Sequence, residues 1–173
     1  MTATKAIPVK RLLSAQAYQL IDREIAKYPA DQKQSAVMGA LTIAQDEVGW
    51  VSPAVIEDVA DYLSMPPIAV YEVATFYNMY NLEEVGTWKI GVCTCLPCAL
   101  REGDKAGEYL KQKLGIDFGE TTLDGRFTLI ETECLGSCAD APICLINDKR
   151  VESFMDNAKL DALIDELRNK ERH

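Results

Sequence analysis

All six cysteines of this chain lie between Cys93 and Cys144, and residues 1–92 contain none. Three of them crowd into the stretch GVCTCLPCALREG, Gly91 to Gly103, at Cys93, Cys95 and Cys98. Cys95-Leu-Pro-Cys98 can be read as a C-x-x-C dithiol of the thioredoxin kind, and Cys93 with Cys98 as two metal ligands. The N-terminal MTATKAIPVKRLL has scattered basic residues but no apolar core, so we expect a short, weakly ordered leader rather than a signal peptide. Without export the cysteines sit in a reducing compartment. They are then metal ligands, catalytic thiols or small buried hydrophobes before they are disulfides. The one histidine is His173, so a metal site here is all thiolate or uses oxygen.

The cysteine-free half reads as helices. Ser14 caps a first helix with Tyr18, Ile21, Ile25 and Tyr28 in a stripe. A second, from about Asp31 to Gly49, aligns Val37, Leu41, Ala44 and Val48. Ser52-Pro53 starts a third, with Ile56, Val59, Ala60 and Leu63, and Pro66-Pro67 a fourth, with Val70, Val73, Ala74 and Tyr77. Four short helices with tight connections make a small bundle. After the polar link Asn81–Gly86 the period changes. Trp88–Cys93 reads as a strand, Ala99–Leu114 as a helix, and Phe127–Glu133 and Pro142–Ile146 as two more strands. Asn147-Asp148 turns into a strand near Val151–Phe154, and a last helix aligns Leu160, Leu163, Ile164 and Leu167. The expected fold is α+β: a helical bundle over residues 1–85, then a thioredoxin-like α/β domain over 86–173.

That order brings the cysteines together. A strand–helix–strand crossover makes the first two strands parallel, so both end at one edge of the sheet. Cys93 ends the first strand, and Cys98 opens the following helix. Cys134 ends the second strand, and Cys138 follows in its loop. A thiol–disulfide enzyme needs one reactive pair and has no use for a second facing it. Four converging thiolates suit zinc or an iron–sulfur cluster. Gly136 favours a cluster, since it lets loop amides approach sulfur.

The full pattern is C-x4-C, 35 residues, then C-x3-C, with the second pair in the form Glu133-Cys-Leu-Gly-Ser-Cys138-x-x-Ala-Pro142. It resembles the thioredoxin-like [2Fe–2S] ferredoxins, in particular the 24 kDa branch of that family found in respiratory complex I, the NADH:quinone oxidoreductase. Val70-Tyr-Glu-Val-Ala-Thr-Phe-Tyr77, Lys113-Leu-Gly-Ile-Asp117, Gly119-Glu-Thr-Thr122 and the Ile146-Asn-Asp148 turn are similar as well. The resemblance runs over about Ser14 to Leu167 and implies four ligands to one [2Fe–2S] cluster: Cys93, Cys98, Cys134 and Cys138. Cys95 falls where relatives carry another residue; within reach of the cluster, it could substitute for a ligand. Cys144, in an apolar strand, reads as a buried small hydrophobe.

The resemblance further implies an electron-transfer subunit that does not turn over alone. FMN and NADH would be bound by a flavoprotein partner of the F type, with a large iron–sulfur subunit of the G type nearby. The location would be peripheral, on the cytoplasmic side of the bacterial inner membrane. No G-x-G occurs among the ten glycines, which fits a dinucleotide site on another chain. A net charge of −9 argues against a nucleic-acid or anionic-membrane surface, and no apolar run approaches the roughly 18 residues of a bilayer span. Two alternatives are the equivalent subunit of a soluble NAD-reducing hydrogenase or NAD-dependent formate dehydrogenase, and a thiol–disulfide oxidoreductase using Cys95 and Cys98. Tyr77, Tyr80 and the 65–80 segment are candidate docking contacts, with core packing as their plainer role.

Overall fold

A computed structural model describes residues 11–170. Most of the expected leader and His173 lie outside these residues. The described chain divides into two compact units, one ending at Glu84 and one beginning at Val85.

The first unit is helical: α1 (Ala15–Ile25), α2 (Val37–Val48), α3 (Pro53–Leu63) and α4 (Pro67–Phe76). Its caps are those the sequence announces. The Ser14 and Ser52 side chains accept from the amides of Ala17 and Val55, three residues on, and Pro53 holds the first position of α3. Two expectations need correction. Residues Ala30–Ala36 form a 3₁₀ segment, with Gln32 off helical geometry at φ −116°, so α2 begins only at Val37. That segment is polar and offers no apolar stripe to bury, so nothing holds it in a full α-helix. Tyr28 lies beyond the end of α1 and is exposed. The core joins Ile21, Leu41, Val59, Leu63 and Val70 from all four helices. Tyr80 also packs there, its hydroxyl donating to the Met38 carbonyl at 2.9 Å, and so is no docking residue; Phe76, Ile68 and Tyr71 are exposed members of the 65–80 segment.

Asp58 is the one fully buried carboxylate among the described residues. It accepts from Arg11 Nη1 at 3.1 Å, from the Leu12 amide at 3.1 Å and from the Tyr18 hydroxyl. The chain entering α1 is thereby tied to α3. Asp58→Ala leaves the Tyr18 hydroxyl and the Leu12 amide without an acceptor. We expect it to destabilise this unit by about 2–3 kcal/mol in urea titration, with Asp58→Asn in between. An unchanged unfolding midpoint for the alanine variant would refute that role.

The second unit carries a four-stranded sheet in the order β2-β1-β3-β4: β1 (Trp88–Cys93), β2 (Phe127–Thr132), β3 (Ile143–Ile146) and β4 (Arg150–Ser153). β1 and β2 are parallel, with Cys93 opposite Thr132; β3 and β4 are antiparallel to their neighbours. Asn147 and Asp148, at φ 50° and 56°, make the tight β3–β4 turn expected of that dipeptide. Helices α6 (Gly103–Leu114) and α7 (Asn157–Arg168) cover one face. There Leu110, Leu160 and Ile164 pack on Ile90, Val92 and Leu129. The helix expected over Ala99–Leu114 is broken. A single turn, α5 (Leu96–Ala99), is followed by Glu102 at φ 67°, and α6 restarts at Gly103. The restart brings backbones close: a Cβ on Gly103 would lie 2.9 Å from the Cys98 carbonyl carbon and oxygen and 3.0 Å from the Cys93 oxygen. Only glycine fits there.

Candidate metal centre

Cys93 and Cys98 are both buried and share a small cluster with Ala141 and Ile143, capped by Leu135. Cys93 is the last residue of β1, not the start of a loop, so the sheet fixes it. Cys98 is fixed by the α5 turn, where its amide and that of Ala99 both donate to the Cys95 carbonyl at 2.8 and 2.9 Å. The second pair follows β2, which stops at Thr132 rather than running to Cys134. Cys134 is exposed, Cys138 half-buried, and their sulfurs stand 3.6 Å apart. Cys138 opens a 3₁₀ turn (Cys138–Asp140) that is pinned by the segment after β4, where the Phe154 amide donates to the Asp140 carbonyl at 2.7 Å.

The electrostatics register the two pairs as one group. Burial first, then the Cys93 thiol and the charges of Cys138 and Cys134, push the Cys98 thiol up to about 12. Cys138 is raised, chiefly by its hydrogen bond with Cys134 and also by Cys93. Cys134 is lowered because the Gly136 amide and the Cys138 thiol donate to it. Thiols that raise one another in this way do not all ionise together unless a cation offsets them. The C-x-x-C dithiol reading fares poorly for the same reason: Cys95 and Cys98 are both raised, whereas a reactive dithiol needs one of them lowered.

Of the two remaining cysteines, Cys95 packs beside Cys93 and Cys98, and Cys144 lies in the other core. Cys95 is half-buried and turns its sulfur toward Glu133, 3.9 Å from Oε2. Cys144 pairs with Val92 and points with it into the core beneath α6 and α7, on the face of the sheet opposite Cys93; burial raises its thiol to about 12.

Among the described residues, no three His, Cys, Asp or Glu side chains gather tightly enough to hold a single metal ion. A dinuclear cluster asks for a different arrangement, two thiolates for each iron, with bridging sulfides filling the rest. Two cysteine pairs from two loops suit that donor set. A fully enclosed hydroxyl with no acceptor, Thr132 Oγ1, lies on the neighbouring strand end. Sequence reading passed over Thr132 and Gly103; a glycine just after the cysteine turn was the available sign of the second.

The profile of the thioredoxin-like [2Fe–2S] ferredoxins matches residues 21–168. An NADH-quinone oxidoreductase polypeptide of the E type from Rickettsia bellii (strain RML369-C) is 48% identical over 146 residues, spanning 84% of this chain and 87% of that one. The mitochondrial NADH dehydrogenase [ubiquinone] flavoprotein 2 of Dictyostelium discoideum is 39% identical over 150 residues, 86% of this chain and 60% of that protein. Among solved structures, an NAD+-reducing [NiFe]-hydrogenase in the air-oxidised state superposes with a TM-score of 0.68 at 22% identity, over 82% of this chain and 24% of that one. At that identity the likeness concerns the fold. No helix among the described residues is long and apolar enough to cross a membrane.

Proposed function

This chain belongs to the thioredoxin-like [2Fe–2S] ferredoxin family, and on that premise we propose that Cys93, Cys98, Cys134 and Cys138 hold one [2Fe–2S] cluster in an electron-transfer subunit of an NADH:quinone oxidoreductase. The observation that carries the reading is the gathering of two cysteine pairs at one end of one sheet. Cys93 and Cys98 would hold the cluster from the buried side, and Cys134 and Cys138 from the exposed side. Once bound, such a cluster supplies one-electron transfer and nothing more. The chain's own residues do the rest. Leu135, Ala141 and Ile143 keep water from the inner pair. The Gly136 amide donates to Cys134 and favours its thiolate.

The E-type name of the relatives supports further subunits around this chain, and we infer their kind from the family resemblance. A flavoprotein of the F type would hold FMN and NADH, with a G-type iron–sulfur subunit beyond it, on the cytoplasmic side of the membrane. The bundle (1–85) and the cluster-bearing part (86–173) would be two domains of this subunit.

The test is redox-titrated EPR on anaerobically purified chain. We expect visible absorption bands and a low midpoint, near about −400 mV, as for all-cysteine centres of the plant ferredoxin type. Glu131 and Glu133 flank the outer pair, and negative charge there disfavours the more anionic reduced state. A colourless chain containing zinc, or a positive midpoint, would sink the reading.

A further inference from the structure

Thr132 ends β2 directly opposite Cys93, and paired residues of neighbouring strands present their side chains to the same face of the sheet. Its hydroxyl oxygen is fully enclosed and has no hydrogen-bond partner. Leaving such a group unpaired is costly, so an acceptor absent from the bare protein is the natural explanation. The local packing fixes the side chain. A Cβ built on Gly91 would stand 2.3 Å from Thr132 Cγ2, so the methyl branch occupies the space above that glycine. Gly91 and Cys93 are two residues apart on β1 and share that face. The hydroxyl, on the other branch of the same Cβ, is thus enclosed at the sheet end where Cys93 stands.

The neighbouring carboxylates and the Thr94 hydroxyl do not serve as donors to sulfur. Glu131 and Glu133 are acceptors when ionised, and the Thr94 hydroxyl already donates to Glu131.

We propose that Thr132 donates its hydroxyl proton to a bridging sulfide of the iron–sulfur site and thereby raises the reduction potential. This rests on the ligand reading given above. Reduction adds one negative charge to an already anionic group, so a hydrogen bond to sulfur strengthens on reduction and favours the reduced form. Thr132 is a positioning and tuning residue, and no bond is made or broken at it. Gly91 is its accessory, since any larger residue there would displace the methyl and with it the hydroxyl.

The experiment compares Thr132→Val and Thr132→Ser with the native chain, each loaded with iron and sulfide. Redox-titrated EPR gives the midpoint, and electron–nuclear double resonance after exchange into D2O detects exchangeable protons near the cluster. At a fixed potential, Thr132→Val should lower the reduced-to-oxidised ratio about threefold to tenfold, the upper figure being about 59 mV for one electron. It should also lose one exchangeable proton signal, while Thr132→Ser keeps the native midpoint and signal. If the valine variant does not fold, Thr132→Ala carries the same test. A hydroxyl-free variant with an intact cluster, native midpoint and native proton signals would overturn the proposal and leave the ligand reading standing. A native chain that takes up no cluster would overturn both.

Discussion

Serine at Cys93, Cys98, Cys134 or Cys138 abolishes or badly perturbs the cluster, whereas serine at Cys95 or Cys144 leaves it assembled; this is the expected outcome of substituting each cysteine in turn. The native chain should hold about two irons and two acid-labile sulfides. The four sensitive positions are the two pairs named by the family resemblance, one from β1 and the α5 turn and one from the loop after β2. The inner pair should be the less forgiving. Cys93 is fixed by strand pairing and Cys98 by the α5 turn, so neither backbone can shift to let a neighbour take over. The outer pair, on an exposed loop, has more freedom and could retain a perturbed cluster with one oxygen ligand. Cys144 is separated from the site by the sheet itself, and serine there should cost stability alone, about 1–3 kcal/mol for a buried hydroxyl. Cys95 is the informative case. It is near the site but aimed at Glu133. Iron and sulfide content with EPR of each variant decides the matter. A series in which Cys95→Ser loses the cluster and Cys93→Ser keeps it would overturn the assignment.

The elements that position these sulfurs differ in how plainly the sequence announces them. β1 was legible to the residue because Trp88–Cys93, apolar but for Lys89, is bounded by Gly86 and by the Pro-containing turn after Cys95. The capped helices α1 and α3 were legible at their starts for a different reason, a serine whose side chain accepts from the amide three residues on. The break between α5 and α6 was not. Residues 99–102 are acceptable helix formers, and what interrupts them is a tertiary demand, the close passage of Gly103 over the Cys93 and Cys98 carbonyls. Propensity cannot reveal such a demand. The 3₁₀ segment before α2 failed differently, through extending a period backward into residues that bury only Ala36. In the site itself, topology pointed to which loops meet, at the shared end of the parallel strands β1 and β2. Spacing alone could not choose four of the six cysteines or separate a cluster from zinc; the family resemblance made that choice. Thr132 was invisible because a threonine ending a strand is ordinary until its hydroxyl is found enclosed and unpaired.

The isolated chain should show no meaningful NADH oxidation with an artificial acceptor, whereas the same chain combined with its flavoprotein should support robust turnover. A hydride carries two electrons together, and a single [2Fe–2S] cluster accepts one, so a flavin must divide the pair. The sequence has no glycine-rich phosphate loop. Two open clefts of the second unit do not supply a substitute. One, between α6 and the segment after β4, is lined by residues of mixed charge such as Arg101, Glu102, Lys105 and Asp156. The other, near Leu123 and Asp124, offers Arg168 beside Glu120 and Asp124. A dinucleotide pyrophosphate asks for converging amides or several uncompensated cations, and neither cleft presents them. Steady-state assays of the chain alone, of the flavoprotein alone and of the two together separate the contributions. Electron delivery from the flavoprotein should then follow the cluster: lost in the Cys98→Ser chain, kept in the Cys144→Ser chain. Sustained turnover by the purified chain, without added flavin, would place the NADH site on this polypeptide and overturn the electron-transfer reading.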